Sequence, residues 1–255
     1  MGKNTQIAER PNFAIAERPD FIKVGDRRGT EQLTSNDIRP PALRLAQSMT
    51  PETKRSEGAY LEGLQEGMLF NSLTKEIYGG EPVQFVIVEA LGHRNVEFKP
   101  LNEGGGVVDF NVPDNDPRAQ FTTVVIDGRN VRQKPVATTF YDYLIMLLRP
   151  EGHQLMTLSL KGTQLKKAKD LNSLIFSAKM PSFSFVFSAT PTPEKKGTFS
   201  YFGWRIERAG YVSREIYDEA EGYQASLAGK KIVLDTEIDA TVEDVEQQGA
   251  SGVPF

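Results

Sequence analysis

Cysteine is absent from this chain of 255 residues, and histidine occurs only twice, as His93 and His153. Without thiols there is no disulfide framework and no thiolate metal site, and two imidazoles are too few for a structural zinc. A nucleophilic triad would have to use one of these two histidines. Neither stands in a recognisable motif, so both are read as surface or loop residues. Long apolar runs are lacking too: nothing approaches the ~18 consecutive apolar residues of a membrane span, and the polar N-terminus has no signal-peptide core. The expectation is a soluble cytoplasmic protein with no membrane partner. A phosphate-cradling loop is missing, because Gly104-Gly105-Gly106 is not followed by Lys, so neither a cofactor nor an enzymatic activity is expected. Only a carboxylate nuclease, with acidic groups converging from distant loops, escapes that exclusion.

Positive charge is in deficit overall, with 30 Lys and Arg against 34 Asp and Glu and a sequence pI near 5.4. The deficit is local. Residues 50–128 hold six basic against thirteen acidic side chains, whereas residues 129–214 hold fourteen against five. Polyanions are bound by local cations, because counterions are released where Lys and Arg meet phosphates, so the acidic pI does not exclude nucleic acid. Residues 235–255 carry Asp235, Glu237, Asp239, Glu243, Asp244 and Glu246 with no basic group, and close on Val253-Pro254-Phe255. Such a segment buries too little apolar surface to order itself and reads as an acidic disordered tail. A partner could seat the terminal ring in a pocket and meet the carboxylate with a cation. The candidate partner-binding residues are therefore Asp239, Glu243, Asp244, Glu246, Pro254 and Phe255; the alternative is a solvated tail that ends in Phe by chance. The same tail is a candidate internal competitor for the basic stretch.

Residues 7–13 (IAERPNF) recur as residues 15–21 (IAERPDF), with Pro too frequent for a helix. Residues 1–38 read as an extended arm. It either docks a neighbouring subunit or DNA through Phe13 and Phe21, giving a homo-oligomer, or straps its own domain. The folded body, residues 39–234, begins at Pro40-Pro41-Ala42-Leu43-Arg44-Leu45-Ala46-Gln47. Strand patterns cover residues 68–71, 82–88, 96–98, 107–111, 121–126, 136–148 and 154–160, with a hairpin at Tyr78-Gly79-Gly80. A helix is predicted over 161–179 from Leu165, Ala168, Leu171, Leu174 and Ile175 at spacings of three and four. Phe183, Phe185 and Phe187 alternate along a further strand, residues 190–197 read as a turn-rich connection, and 198–208 as the returning strand. Ser213 begins a terminal helix to Leu227. The class is mostly β with α (α+β). The order of elements is that of an elaborated oligonucleotide/oligosaccharide-binding (OB) barrel with a helix between strands and a C-terminal helix.

A non-specific single-strand binder needs π faces for bases and cations for phosphates. Residues 195–208 (KKGTFSYFGWRIER) supply both. On a strand, Phe199, Tyr201, Gly203 and Arg205 share one face and Phe202, Trp204 and Ile206 the other. Phe202 and Trp204 are assigned to the core, Tyr201 and Arg205 to the groove, because phenol and guanidinium tolerate water while stacking. The candidate DNA-binding residues are Tyr141, Tyr143, Lys161, Lys166, Lys167, Lys195, Lys196, Phe199, Tyr201 and Arg205. Core packing is the competing reading for each aromatic taken singly. The cluster Asp109, Asp114 and Asp116 lacks the calcium-loop spacing and its closing Glu, so no metal is expected there.

The acidic tail ending in Phe resembles the C-terminal tip of single-stranded DNA-binding proteins from bacteria and their phages. The 40–47 segment, the strand entry at Gly67–Asn71, Leu158-Ser159-Leu160 before a Lys-rich helix, and Phe202-Gly203-Trp204 together resemble single-stranded DNA-binding proteins of tailed bacteriophages, over residues 40–255. The resemblance implies an OB core that protects replication, recombination or repair intermediates in the host cytoplasm. It also implies a tail that recruits polymerase, helicase or nuclease. Here the acidic residues are set back about eight positions from the terminal Phe, a departure from the family's usual tail. A phage structural or assembly protein with a docking arm is the reading from another class.

Overall fold

The apolar run around residue 145 is covered on both sides, and this sets the architecture. The computed structural model describes residues 40–100, 103, 105–197, 199–227, 229, 232 and 234, together with 29 and 32. The chain divides into Met1–Thr34 and Ser35–Phe255, and the elements named here belong to the second unit. They are β1 (Leu43–Leu45), β2 (Leu69–Asn71), β3 (Ile77–Gly79), β4 (Val83–Phe98), β5 (Val107–Val112), β6 (Thr122–Ile126), β7 (Arg129–Gln133), β8 (Thr138–Leu148), β9 (Gln154–Lys161), α1 (Leu165–Ala178), β10 (Phe185–Lys196), β11 (Phe199–Tyr211) and α2 (Arg214–Leu227). The arm with Phe13 and Phe21, and the tail with Asp239, Glu243, Asp244, Glu246, Pro254 and Phe255, lie outside the described residues.

The main sheet runs β11-β10-β4-β8-β9 and is antiparallel throughout, with β5 beside the far half of β4. In β8, Tyr143, Ile145 and Leu147 enter one core and Leu144 and Met146 another. Two covered faces explain why the strand reads as a continuous apolar run instead of an alternation. On the first face lie α1, through Ala168 and Leu171, and the small sheet β1-β2-β3, through Leu43, Leu45 and Leu69. On the second face α2 packs Ala220 against Val86, Val88 and Leu144, with the Tyr217 ring edge-on to Phe183 at 4.9 Å. A third cluster, Ala46, Leu64 and Phe70, fills the outer side of the small sheet. Buried Glu52 ties that region together by accepting from Arg44 Nη1 at 3.1 Å and Lys75 Nζ at 3.0 Å.

β4 is one strand of sixteen residues where the pattern suggested two shorter pieces. Its register against β8 shifts between Ile87 and Glu89 and again between Ala90 and Gly92. Bulges of this kind bend a strand and raise its twist. Bending lets the first half pair with β10 and the last half with β5 while β8 follows throughout.

The α+β class is as read from the sequence, whereas the strands do not close into a barrel. The sheet ends at β11 on one side and β9 on the other, and no ladder joins these edges among the described residues. The outer edge of β9 is taken elsewhere: Thr157 N–H donates to the Pro41 carbonyl at 2.8 Å, beside a bridge between Ala42 and Thr157. After β9 the chain turns away at Gly162, and the contact back to β11 is a side chain, Gln164 Oε1 accepting from Trp204 N–H at 3.1 Å.

Three local readings change. The helix begins at Leu165, not at 161, because Gly162 takes φ +56° and residues 162–164 form a 3-10 turn. Residues 190–196 are strand despite Pro191 and Pro193. β4 pairs with β10 only as far as Ala189, so beyond it one edge of β10 is open and a missing N–H costs no ladder bond. Residues 129–133, not assigned from the sequence, pair with 122–126 as a hairpin.

Candidate nucleic-acid interface

Once Ala168 and Leu171 are buried and Ile175 and Ala178 packed beside them, the period of α1 turns a fixed set of residues outward. Lys166, Lys169, Ser173 and Phe176, at spacings of three and four, share that outer stripe and are exposed. The Phe176 ring is 87% exposed, with Lys169 on the same stripe. Leu174 and Met180 are also exposed nearby in the chain. A ring open to water among cations provides what a base and its phosphates require. Sequence reading placed Lys166 in the site and overlooked Phe176; the signal was available, since the helical period that buries Leu171 and Ile175 turns Phe176 outward.

The N-terminal end of α1 meets the β10–β11 hairpin. Glu194 and Tyr201 are register partners across it. Lys167 Nζ forms an ion pair with Glu194 Oε1, and the Tyr201 hydroxyl donates to Glu194 Oε2 at 3.1 Å. Gly203 makes room for this arrangement, because a Cβ there would collide with the Glu194 carboxylate and come within 2.7 Å of Gln164 Nε2. Thus two expected site residues, Lys167 and Tyr201, are brought together by a carboxylate that sequence reading did not include. Glu194 was hidden as long as residues 190–197 read as a connection without register.

Lys166 and Lys195 are exposed, and Arg205 is exposed with its Nε 3.6 Å from Glu207 Oε2. Trp204 is buried, and Phe202 and Ile206 pack against the same core, so the division of β11 into a core face and an outer face holds. Lys196 and Phe199 flank the hairpin turn at the strand ends, and their side chains lie outside the described ones. Lys161, at the end of β9, places Nζ 5.4 Å from the Phe140 ring centre and 5.6 Å from that of Phe98. Tyr141 is half-buried against the α1-side core, its ring 5.8 Å from His93. Tyr143 is corrected from stacking platform to core: it is 1% exposed, with its hydroxyl directed at Asn172 Oδ1 at 2.9 Å and the Ala168 carbonyl at 3.2 Å. Burial pushes this phenol far above its ordinary range, with Tyr141 and Asp142 adding to the rise. The reason is α1, which lies on the face that Tyr143 shares with Ile145.

Elsewhere, carboxylates are engaged by neighbouring side chains. Arg118 pairs with Glu97, Asp109 and Asp116 at 2.5, 3.3 and 2.7 Å. Asp114 binds His93 Nε2 at 3.0 Å and accepts from Asn95 Nδ2 at 2.8 Å. Buried Asp142 accepts from Arg94 Nε at 2.8 Å and from Ser159. The other histidine, His153, pairs through Nδ1 with Glu219 Oε2 at 2.6 Å and fastens a loop to α2.

The fold and surface define an open-sheet α+β protein with a cationic and aromatic flank on α1 and the β10–β11 hairpin. A family model of the Pam3 phage gp34-like protein matches residues 9–233, and the chain belongs to that phage family. The acidic tail lies beyond the matched stretch. No curated protein and no solved structure matches the chain.

Proposed function

We propose that this phage-family chain is a non-enzymatic, non-sequence-specific single-stranded DNA-binding protein that coats replication or recombination intermediates. The observation that carries the reading is the outer stripe of α1, where Phe176 stands open with Lys166 and Lys169, next to a hairpin that carries Lys195, Tyr201 and Arg205. Bases stack on Phe176 and Tyr201, and phosphates take up the lysines. Glu194 acts as a built-in competitor: it occupies Lys167 and Tyr201 until a phosphate replaces it. The OB reading of the fold belongs to this proposal. It is supported by the position of α1 between β9 and β10 and by the bulged, bent β4, features that barrels use to curve. Recruitment of replication or recombination enzymes through Asp239, Glu243, Asp244, Glu246, Pro254 and Phe255 is part of the same proposal and rests on the tail's sequence.

The test is fluorescence anisotropy of a labelled oligo(dT) with the full chain, competed by duplex DNA and oligo(rU) at several salt concentrations. Trp204 emission is a poor reporter because the indole is buried. Single strands should win over duplex, with affinity falling as salt rises. Phe176→Ala and Tyr201→Ala should each weaken binding by about 1 to 3 kcal/mol. Glu194→Gln keeps the packing over Gly203 while releasing Lys167, and should tighten binding several-fold at low salt. Equal affinity for duplex and single strand, or incorporation of the protein into purified particles without DNA binding, overturns the reading in favour of a structural role.

A further inference from the structure

The β6–β7 hairpin stands apart from both cores. Its two strands pair only with each other, and nine of the ten strand residues are exposed, Val124 being the exception. A lone two-stranded hairpin is at best marginally stable in water, yet this one is well built. Asp127 and Gly128 take φ +50° and +75°, the left-handed pair that a two-residue type I′ turn requires. Its neck is held where Ala137 N–H donates to the Arg118 carbonyl at 2.8 Å, and Arg118 is in turn gripped by Glu97, Asp109 and Asp116. The register puts Thr123 opposite Arg132 and Val125 opposite Asn130, so alternation sets Phe121 and Lys134 on that same face. There the Arg132 guanidinium lies over the half-exposed Phe121 ring at 4.0 Å. Arg129, beside the turn and opposite Ile126, lies on the other face. None of Arg129, Arg132 and Lys134 forms an ion pair among the described residues, and Asp127 is the one carboxylate between 121 and 134.

We propose that this hairpin is a second DNA-contacting arm, which lies along a single strand with a base stacked on the Phe121–Arg132 pair and phosphates on the guanidinium edge of Arg132 and on Lys134. The proposal rests on the single-strand-binding reading and adds a site remote in sequence from α1 and β10–β11. The charge chooses the occupant. Two hairpins brought edge to edge would set three cations against three, whereas a polyanion neutralises them and releases counterions. A planar guanidinium already seated on a ring presents its outer face to a base with little further ordering cost.

The experiment uses the full-length chain and labelled oligo(dT), with anisotropy read across a salt series and sedimentation velocity on the free protein. Phe121→Ala should raise Kd about tenfold or more. The double change Arg132→Gln, Lys134→Gln should lower the slope of log affinity against log salt by about 1.4, the loss expected for two phosphate contacts on a single strand. Arg132→Lys, which keeps the charge and removes the planar stack, should weaken affinity and leave the slope unchanged. Because these side chains are exposed, melting temperatures should match the unaltered chain, and any variant that melts early is replaced by Arg132→Lys for the comparison. Unchanged Kd and slope in all variants, while the unaltered chain binds single strands, overturns the arm and leaves the α1 and β10–β11 surface standing. Loss of self-association with normal DNA binding overturns it in favour of contact between copies. Failure of the unaltered chain to bind single strands overturns both proposals together.

Discussion

At the scale of residues, the acidic loop after β5 behaves as a structural clamp around one guanidinium. Arg118 reaches three carboxylates, and its side-chain and then backbone hydrogen bonds hold the Asp116 carboxyl down from its ordinary 3.8 to about 2. Asp114 is lowered as well, first by His93 and then by Asn95. A carboxylate with a depressed folded-state value stabilises the fold fully above its unfolded value, near pH 4, and loses that contribution as the pH falls through its folded value, near pH 2. The stability difference between the unaltered chain and Asp116→Asn should therefore be present at pH 5 and vanish progressively between about pH 4 and pH 2, as read by urea unfolding. A difference that stays constant over that window would assign the effect of the substitution to packing. These acidic residues were legible as a turn-rich loop, but Arg118 as their common partner was not, because Glu97 and Asp109 reach it from β4 and β5.

At the scale of elements, two stretches singled out in the sequence meet in space. The Gln47 side-chain amide donates to the Phe202 carbonyl at 2.8 Å and accepts from Phe202 N–H at 3.0 Å, so the segment at 40–47 clamps the first part of β11. Gly67, which leads into β2, sits directly beneath the Phe202 ring. It has φ +84°, and a Cβ there would lie 2.6 Å from the ring carbon Cε1. Gly67→Ala should thus cost about 1 to 3 kcal/mol, from the left-handed backbone and the forced displacement of the ring. Adding Phe202→Leu should recover part of that loss in urea unfolding. Strictly additive losses in the double variant would place the whole cost in the backbone. The periods of α1 and β11 were read correctly in part because each depends on its own spacing. The course of β10 past Pro191 and Pro193 depends on where β4 stops, and no local pattern reports that.

At the scale of the whole molecule, charge is segregated along the chain, and the fold places part of the basic stretch on one flank and part on the β6–β7 arm. Among the described residues, no helix is long and apolar enough to cross a membrane. Residues 235–255 carry six carboxylates, and the 129–214 stretch carries nine more basic than acidic groups. If the tail competes for that surface, its removal should tighten single-strand binding at low salt, and the gain should shrink at high salt as screening shortens the Debye length. Removing Phe255 alone keeps all six side-chain charges, so DNA affinity should hardly move while capture of a replication or recombination enzyme fails. Weaker DNA binding after tail removal contradicts the competition, and undiminished capture without Phe255 contradicts the recruitment.

Short-range patterning, in periodicity and composition, accounts for one part of this molecule. It set the α+β class, both helices, most strand positions, the core assignment of Phe202 and Trp204, and the uneven charge. Tertiary structure decided what depends on which element lies next to which. Tyr143 belongs to the core and not to the candidate interface because α1 covers the side of β8 it occupies, whereas Phe176 is exposed because nothing among the described residues covers the opposite side of α1. Glu194 became the partner of Lys167 and Tyr201 only when the register of β10 and β11 was set. The barrel stayed open because Pro41 and Ala42 occupy the edge of β9 that closure would need. A side-chain period of two or 3.6 is written in consecutive residues, but the choice of neighbour on an edge is a competition among distant segments, and it is settled by which of them satisfies the exposed N–H and C=O groups first.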